Sequence, residues 1–275
     1  MKKLMIGFVA LAVSLFSSVG FAAAQDPEQK FILPVHSFEI RPEISHIEYK
    51  EPGVMEEEGI MYGIGAAYTL RSPDDYMLQV EGKFSYGQVD YENSGTMDDI
   101  DDYMFEIRGL LGYDFRILDK TMITPYVGVG YRYLNDDMSG MTSSTGASGY
   151  ERESNYYYSP VGIKTLSYIG NGWLWGITAE FDYFWKGKQK SHFSDILAGL
   201  NDPENDQDDG YGYRASIEFR KELGMMSFAI EPFIRYWDID ESDHEDVTYH
   251  GSVIGDGFEP ANESTEIGII LAVMF

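Results

Sequence analysis

The feature that most constrains this chain is a two-residue alternation of apolar side chains with charged or small ones. The segment 211–220, which reads YGYRASIEFR, shows it clearly. A β-strand sends successive side chains to opposite faces, so the aromatic and aliphatic residues share one face and the arginines and glutamate share the other. A soluble sandwich rarely needs so many large aromatic side chains on its apolar face, whereas a barrel in lipid does. The alternation therefore predicts an all-β protein, a transmembrane β-barrel.

The N-terminus has the layout of a secretory signal peptide. Two lysines precede an apolar run from Leu4 to Phe16, and small residues end the segment at Ala24. This order predicts that 1–24 is a signal peptide and that 25–35 is a short periplasmic leader. The alternative is a retained membrane helix, because the stretch before the cleavage point is long enough to span a bilayer. No later stretch is apolar over about 18 residues, so any other crossing must be made by strands.

Composition narrows the classes of function. The chain has no cysteine, which excludes thiolate metal sites, thiol nucleophiles and disulfides. Its formal net charge is −26, and affinity for phosphate backbones depends on clustered basic residues, so we expect no nucleic-acid partner. The slightly negative mean hydropathy argues against a helical membrane protein but is normal for strands that alternate.

The region 36–275 divides into strand-like segments joined by connections that are alternately short and long. Short periplasmic turns and long polar outer loops are typical of an outer-membrane barrel, and an even number of strands leaves both chain ends on the periplasmic side. Pro42 predicts a bulge near Ser45, and Ser194 is a candidate cap for a short loop helix over 193–200. The ten predicted antiparallel strands are 36–49, 59–70, 75–87, 102–116, 122–134, 155–168, 172–186, 210–220, 225–237 and 264–275.

One face of these strands lacks ionised side chains, as contact with lipid requires, since each charge costs kilocalories near the bilayer midplane. Aromatic residues gather near the ends of these faces, where interfacial girdles need rings with one apolar and one hydrated side. The predicted girdle residues are Tyr86, Tyr103, Tyr131, Trp173, Trp185 and Tyr236.

The opposite faces carry charges of both signs in equal number. A balanced set in a confined interior offsets its desolvation by pairing, and small barrels fill their interiors with side chains, so we expect a salt-bridged lumen that is narrow or closed. A gated path for small solutes is the alternative. The predicted inward acids are Glu81, Glu106, Asp114, Glu180, Asp182, Glu218, Glu231 and Glu266, and the bases are Lys83, Arg108, Arg132, Lys164, Lys186, Arg214, Arg220 and Arg235.

The excess negative charge falls mostly in the predicted outer loops. One explanation is that this charge keeps the loops soluble. The alternative is that the loops bind divalent cations, together with lipopolysaccharide phosphates, because oxygen-rich loops suit calcium and magnesium. None of the acidic runs has the spacing of an EF-hand, so we assign no metal-ligand residues and no cofactor. The runs are 56–58, 98–102, 202–209 and 238–246.

The final strand, Ile267 to Phe275, alternates and ends on an aromatic residue. With the ten-strand layout and the signal segment, it resembles bacterial outer-membrane β-barrel proteins. The resemblance implies export to the bacterial outer membrane of a Gram-negative cell envelope and contact with outer-membrane lipid and lipopolysaccharide. It also implies that the outer-membrane assembly machinery recognises Phe275. These motifs identify an architecture, not an activity.

The ten-strand layout also resembles the omptin proteases, and the segment from Tyr157 to Trp185 is similar to their central hairpin. Omptins carry an acidic pair on one rim and an Asp–His pair opposite. Asp90 and Glu92 match the acidic pair only loosely, and Lys190 stands two residues before His192 in place of an acid, so no catalytic residue carries over. The sequence predicts an outer-membrane barrel with a structural or surface-interaction role or a porin-like small-solute pore. A rim-active omptin-like protease is the alternative.

Overall fold

The computed structural model describes residues 33–117 and 120–275, so the predicted signal peptide 1–24 and most of the leader 25–35 lie outside the described residues. No helix within these described ranges is long and apolar enough to cross a membrane. The strands, in chain order, are β1 (His36–Glu51), β2 (Met55–Arg71), β3 (Tyr76–Asn93), β4 (Gly95–Tyr113), β5 (Phe115–Ile117), β6 (Thr121–Asp137), β7 (Glu151–Gly170), β8 (Trp173–Ser191), β9 (Glu204–Gln207), β10 (Gly210–Leu223), β11 (Met226–Ile239), β12 (Glu245–Tyr249), β13 (Ser252–Gly257) and β14 (Asn262–Met274).

Ten of these strands form a closed barrel. Each pairs antiparallel with its neighbours in the order β1, β2, β3, β4, β6, β7, β8, β10, β11, β14, and the pairing of β14 with β1 closes the ring. The last residue takes part in this closure, because the Phe275 N–H donates to the Phe38 carbonyl at 2.9 Å. The predicted ten-stranded up-and-down barrel is confirmed.

The strands are longer than predicted at the end that carries the long loops, which we call the outer end. They run from 13 residues in β14 to 20 in β7, beyond the roughly 9 to 11 needed to cross the bilayer. The acidic run 56–58 belongs to β2 and the run 98–102 to β4, so neither is a loop. Backbone pairing continues there because inward apolar residues such as Met61 and Ile100 still pack inside the barrel.

Two local predictions were wrong. β1 pairs with β2 without any register shift, so there is no bulge near Ser45, whose hydroxyl instead points into the lumen and donates to Glu266 at 2.8 Å. The predicted loop helix is a single 3-10 turn, Phe193–Asp195, and Ser194 does not cap it. The Ser194 N–H instead donates to the Asp202 carboxylate at 2.9 Å, which holds the turn against the following loop.

A bulge near the outer end of β8 reverses the direction of the side chains that follow it. Tyr157 pairs with Lys186 and Tyr158 with Phe184, so Trp185 is the extra residue. Trp185 and Lys186 are therefore both exposed on the outer wall. The prediction that Lys186 lines the lumen was wrong for this reason, and its ammonium pairs with Asp206 at 2.8 Å.

Candidate functional site: the lumen and the outer rim

The centre of the lumen holds a group of ion pairs built around two arginines. Arg214 contacts Asp182 at 2.7 Å and Glu106 at 2.5 Å. Arg108 contacts Glu180 at 2.5 Å and also pairs with Glu81. These side chains come from β3, β4, β8 and β10, so the group spans the interior. Bidentate and charge-assisted contacts of this kind are what allows charged groups to remain buried.

A second group lies against β1 and β14. Arg235 contacts Glu43 at 3.1 Å and Glu266 at 3.0 Å, and Lys83 contacts the same two carboxylates at 3.3 and 3.2 Å. Two bases thus neutralise two acids. Glu43 was missed in the sequence analysis, although it alternates with the outward residues of β1 in the same way as the charges on later strands.

Three further predicted lumen charges, Glu218, Arg220 and Glu231, lie in smaller pairs, and the Lys164 ammonium donates to the Gln79 amide oxygen at 2.8 Å. Arg41 of β1 contacts Glu231 at 2.7 Å, and Arg220 contacts Glu218 at 2.5 Å. Arg132 differs from the rest, because its guanidinium lies 3.7 Å from the sulfur of Met104 and 5.4 Å from the Trp237 ring centroid. It therefore marks the boundary between the charged interior and an apolar one.

An apolar layer fills the lumen on the outer side of the ion pairs. Along β4 the inward residues run Arg108, Glu106, Met104 towards the outer end, so charge gives way to a thioether. Two buried clusters form the layer, and Leu134 packs against both, which makes the layer continuous across the lumen. Its buried members include Ile47, Met61, Val89, Met104, Tyr156, Tyr158, Phe184 and Trp237.

The space inside the lumen differs in size on the two sides of the border between the ion pairs and this layer. A cavity of about 160 Å³ lies among the charged side chains on the inner side, bordered by Arg41, Glu81 and Lys164. Next to Arg132 and Trp237 only about 10 Å³ remains, room for roughly one water molecule. The inner half of the lumen thus has a cavity large enough for several water molecules, and the space beside Arg132 and Trp237 is much smaller.

The outer wall carries two bands of aromatic side chains, and we take the section between them as the membrane-spanning part. Hydroxyl groups of the outer band reach acids just beyond it: Tyr86 donates to Asp101 at 2.6 Å and Tyr211 to Asp238 at 2.8 Å. This places the outer band at the border between lipid and water. The structure places all six predicted girdle residues on the outer wall: Tyr86, Tyr103, Tyr131, Trp173, Trp185 and Tyr236.

Beyond the outer band, inside the mouth of the barrel, lies a second polar cluster. Arg152 donates to Glu51 and to Glu259 at 2.6 Å each, and to the Tyr49 hydroxyl at 3.1 Å. The guanidinium is buried, so these three acceptors replace its hydration. The cluster covers the apolar layer from the outside and ties β1 and β7 to the chain segment that precedes β14.

Two further carboxyl groups in this mouth lie within hydrogen-bond reach of one another. Burial and the nearby Asp136 raise the pKa of Glu57, and burial raises the pKa of Asp136 to about 6 against the attraction of Arg152. Within the described chain, no proton donor reaches Glu57 Oε1 or either carboxylate oxygen of Asp136. Two ionised carboxylates repel each other, so this arrangement favours a proton on one member of the pair.

With this geometry established, the comparisons with known proteins identify the family. The family model for the outer membrane protein beta-barrel domain matches residues 8–184, more than half of the chain. The chain belongs to this family. Membership in the outer-membrane barrel family indicates the bacterial outer membrane as its location. Among curated proteins, none matches the chain.

Several solved outer-membrane barrels have a similar fold. The outer membrane protease OmpT from Escherichia coli matches with a TM-score of 0.61 and 9% identity, over 87% of this chain and 96% of that chain. The Neisseria meningitidis autotransporter NalP translocator domain matches with a TM-score of 0.41 and 11% identity, over 98% and 95%. The Pseudomonas putida toluene transporter TodX matches with a TM-score of 0.35 and 9% identity, over 89% and 90%. At these identities the OmpT likeness concerns the fold alone, and the other two carry no argument.

The residues that loosely matched the omptin pattern do not converge in this family member. His192 Nε2 lies 2.6 Å from Glu153 Oε1, but the bulge at Trp185 directs this pair to the outer wall of β7 and β8. Asp90 is exposed on the outer wall of β3, where it accepts the Asp99 N–H at 3.1 Å. Side chains on the outside of strands that are not neighbours cannot face one another across the mouth. Glu92 is exposed on the same outer face of β3 as Asp90.

A second loop histidine, His244, also has a carboxylate partner. His244 Nδ1 lies 2.6 Å from Asp256, and both side chains are exposed. The hydrogen bond with Asp256 raises the pKa of His244, although partial burial opposes it. The imidazole also stacks on Phe258 with ring centroids 4.6 Å apart. These contacts hold the loop that contains β12 and β13 in place. They involve no hydroxyl or thiol group that could act as a nucleophile.

Proposed function

We propose that this outer-membrane barrel is closed to solutes and functions through its outer surface, as a structural or surface-interaction protein. The observation that carries the proposal is the continuous apolar layer in the outer half of the lumen. The ion pairs beneath it are balanced in charge, so they lack the single sign of charge that an ion-selective ring uses. The narrow-pore alternative would require a path through side chains that are almost completely buried.

The physical reason is desolvation. An ion or polar solute that enters the inner cavity is hydrated there, but the layer offers it thioether, aliphatic and ring surfaces. Removing hydration without replacement costs several kcal/mol for a neutral polar group and far more for an ion. Passage therefore requires the layer itself to move.

Single-channel recording in planar bilayers tests the proposal. We expect no discrete conductance steps from the wild type, and steps from a variant in which the layer is thinned by Met61→Ala, Met104→Ala and Trp237→Ala. The matched control truncates apolar side chains on the lipid-facing wall, Ile177→Ala and Leu271→Ala, and should remain silent. Regular steps from the wild type would contradict the closed lumen. A silent triple variant would show that the apolar layer is not the seal.

We also propose how the protein is exported and which parts of the cell envelope it contacts. We propose export by the segment 1–24, lipid contact along the outer wall, and lipopolysaccharide contact at the acidic, tyrosine-rich border above it. We also propose that the assembly machinery reads Phe275, which is supported by its ring being about half exposed at the closing seam. Fractionation of cells that express Phe275→Ala tests the last point, with less folded barrel in the outer membrane expected.

A further inference from the structure

We propose that Glu151, Glu153 and His192 bind one divalent first-row transition-metal ion, of which Zn²⁺ is the representative, on the outer wall of the barrel. One ligand atom from each of the three lies within 4.8 Å of the others. His192 Nε2 is already 2.6 Å from a Glu153 oxygen. The site lies just beyond the outer aromatic band and is separate from the lumen, so it does not depend on whether the lumen conducts.

Local backbone structure brings the three side chains to one face. Glu151 and Glu153 are two residues apart in β7 and therefore point the same way. The His192 N–H donates to the Glu151 carbonyl at 2.9 Å, which fixes the histidine beside them. Because Trp185 is an extra residue in β8, the side chain of His192 faces outward. Without that bulge the imidazole would point into the mouth, away from both carboxylates.

Both candidate carboxylate ligands accept a hydrogen bond from an outer partner, as ligands in metal sites do. The Tyr133 hydroxyl donates to Glu153 Oε2 at 2.8 Å, and the Asn135 amide donates to Glu151 Oε1 at 2.6 Å. Asn135 is only 1% exposed, and its amide oxygen has no hydrogen-bond partner among the described residues. This buried amide oxygen without a partner, next to the carboxylates, is a second sign that the site takes a ligand.

The electrostatics also favour a cation. Two further carboxylates lie next to the three candidate ligands, because Asp195 accepts the Glu151 N–H at 3.2 Å and Asp202 lies 3.9 Å from His192. His192 Nε2 faces Glu153 Oε1 at 2.6 Å, where the bound ion would take the place of the proton that the two groups now share, and His192 Nδ1 lies 3.9 Å from Asp202 on the other side of the ring. Lys190, the cross-strand neighbour of Glu153, is the one competing cation that the strand register places here.

The donor set selects the class of metal. One imidazole nitrogen with two carboxylates suits Zn²⁺ and its first-row neighbours better than Ca²⁺ or Mg²⁺, which prefer oxygen alone. Three protein ligands leave a position for water or another ligand. A second acidic group, Glu48, Glu56 and Glu58, also lies on the outer wall, but the Lys50 ammonium contacts Glu48 at 2.8 Å and Glu56 at 3.1 Å. The three members of that group are all carboxylates, with the His46 imidazole 3.8 Å from Glu58, and the group serves as the control because Lys50 already neutralises part of its charge.

Isothermal titration of the purified, folded barrel in detergent with ZnCl₂ tests the site, and the absorption bands of bound Co²⁺ give a second readout. We expect one ion per chain, loss of binding in His192→Ala and Glu153→Gln, and about tenfold weaker binding in Tyr133→Phe, which removes only an outer hydrogen bond. The control Glu56→Gln with Glu58→Gln should bind as the wild type does. Heat-modifiable migration on gels verifies that each variant is folded.

Two results would overturn the proposal. One is a wild type that binds neither Zn²⁺ nor Co²⁺, which would mean that Lys190 and the hydrogen bonds alone satisfy the carboxylates. The other is a His192→Ala variant that binds Zn²⁺ as tightly as the wild type, or a control that loses the ion. Either finding would show that bound metal is held elsewhere on the acidic surface.

Discussion

Replacing Asp136 with asparagine should make the barrel more stable at neutral pH, although it removes a charge next to Arg152. Burial raises the pKa of Asp136 from 3.8 to about 6, and burial together with Asp136 raises that of its neighbour Glu57. The folded protein therefore keeps a proton that the unfolded chain releases near pH 4. Between about pH 4 and 6 the folded state binds more protons, so the free energy of unfolding falls as the pH rises.

The size of the expected gain in stability follows from the same pKa shift. A rise from 3.8 to about 6 corresponds to a loss of up to about 3 kcal/mol, at ~1.4 kcal/mol per pKa unit. The amide of Asp136→Asn keeps the shape of the side chain, and it either donates to Glu57 or accepts from it. The variant should thus gain up to about 3 kcal/mol relative to the wild type above pH 6, and the gain should shrink towards zero near pH 4.

Urea unfolding in detergent micelles, followed by tryptophan fluorescence at pH 4, 5, 6, 7 and 8, measures this difference. The control is Asp98→Asn, which makes the same chemical change at an exposed position on the same rim and should show no pH-dependent gain. A constant difference between Asp136→Asn and the wild type across this range would refute the reasoning, as would a variant that is less stable at pH 8. In either case the two carboxyl groups would not share a proton.

Three further outcomes are expected. Arg214→Met should lower the free energy of unfolding by about 3 to 5 kcal/mol, because it leaves Glu106 and Asp182 buried without their partner, whereas Lys188→Met removes an exposed pair and should leave urea unfolding unchanged. Gly130→Ala would place a methyl group inside the Tyr158 ring and should cost about 1 to 3 kcal/mol by the same assay, while Gly109→Ala meets nothing within 4 Å and should be neutral. His244→Gln should abolish any change in protease sensitivity of the loop 240–260 between pH 5 and 8, if the pair with Asp256 fixes that loop.

The barrel could be predicted from the two-residue alternation because lipid and lumen require opposite kinds of side chain at successive residues. A charged residue such as Glu106 cannot exchange places with an aromatic residue such as Phe105. The sequence therefore shows which face of a strand points inward wherever one face meets lipid and the other meets the lumen. Beyond the outer band the outward face meets water and the inward face mixes buried apolar and polar side chains, so this constraint ends. Glu57 and Asp136 were therefore read as parts of loops or loop borders, although they continue β2 and β6 and point inward.

The bulge at Trp185 shows where sequence reasoning fails for the site itself. Trp185 and Lys186 suit the interface equally well on either face, so their identities do not reveal that both point outward. Yet this one extra residue reverses every side chain after it. It moves Lys186 out of the lumen, places Gln189 inside the mouth, and brings His192 to the face that carries Glu151 and Glu153. The metal ligands thus lie on one surface because of a register change, and a register change is decided by the pairing of whole strands, not by the residues at the site.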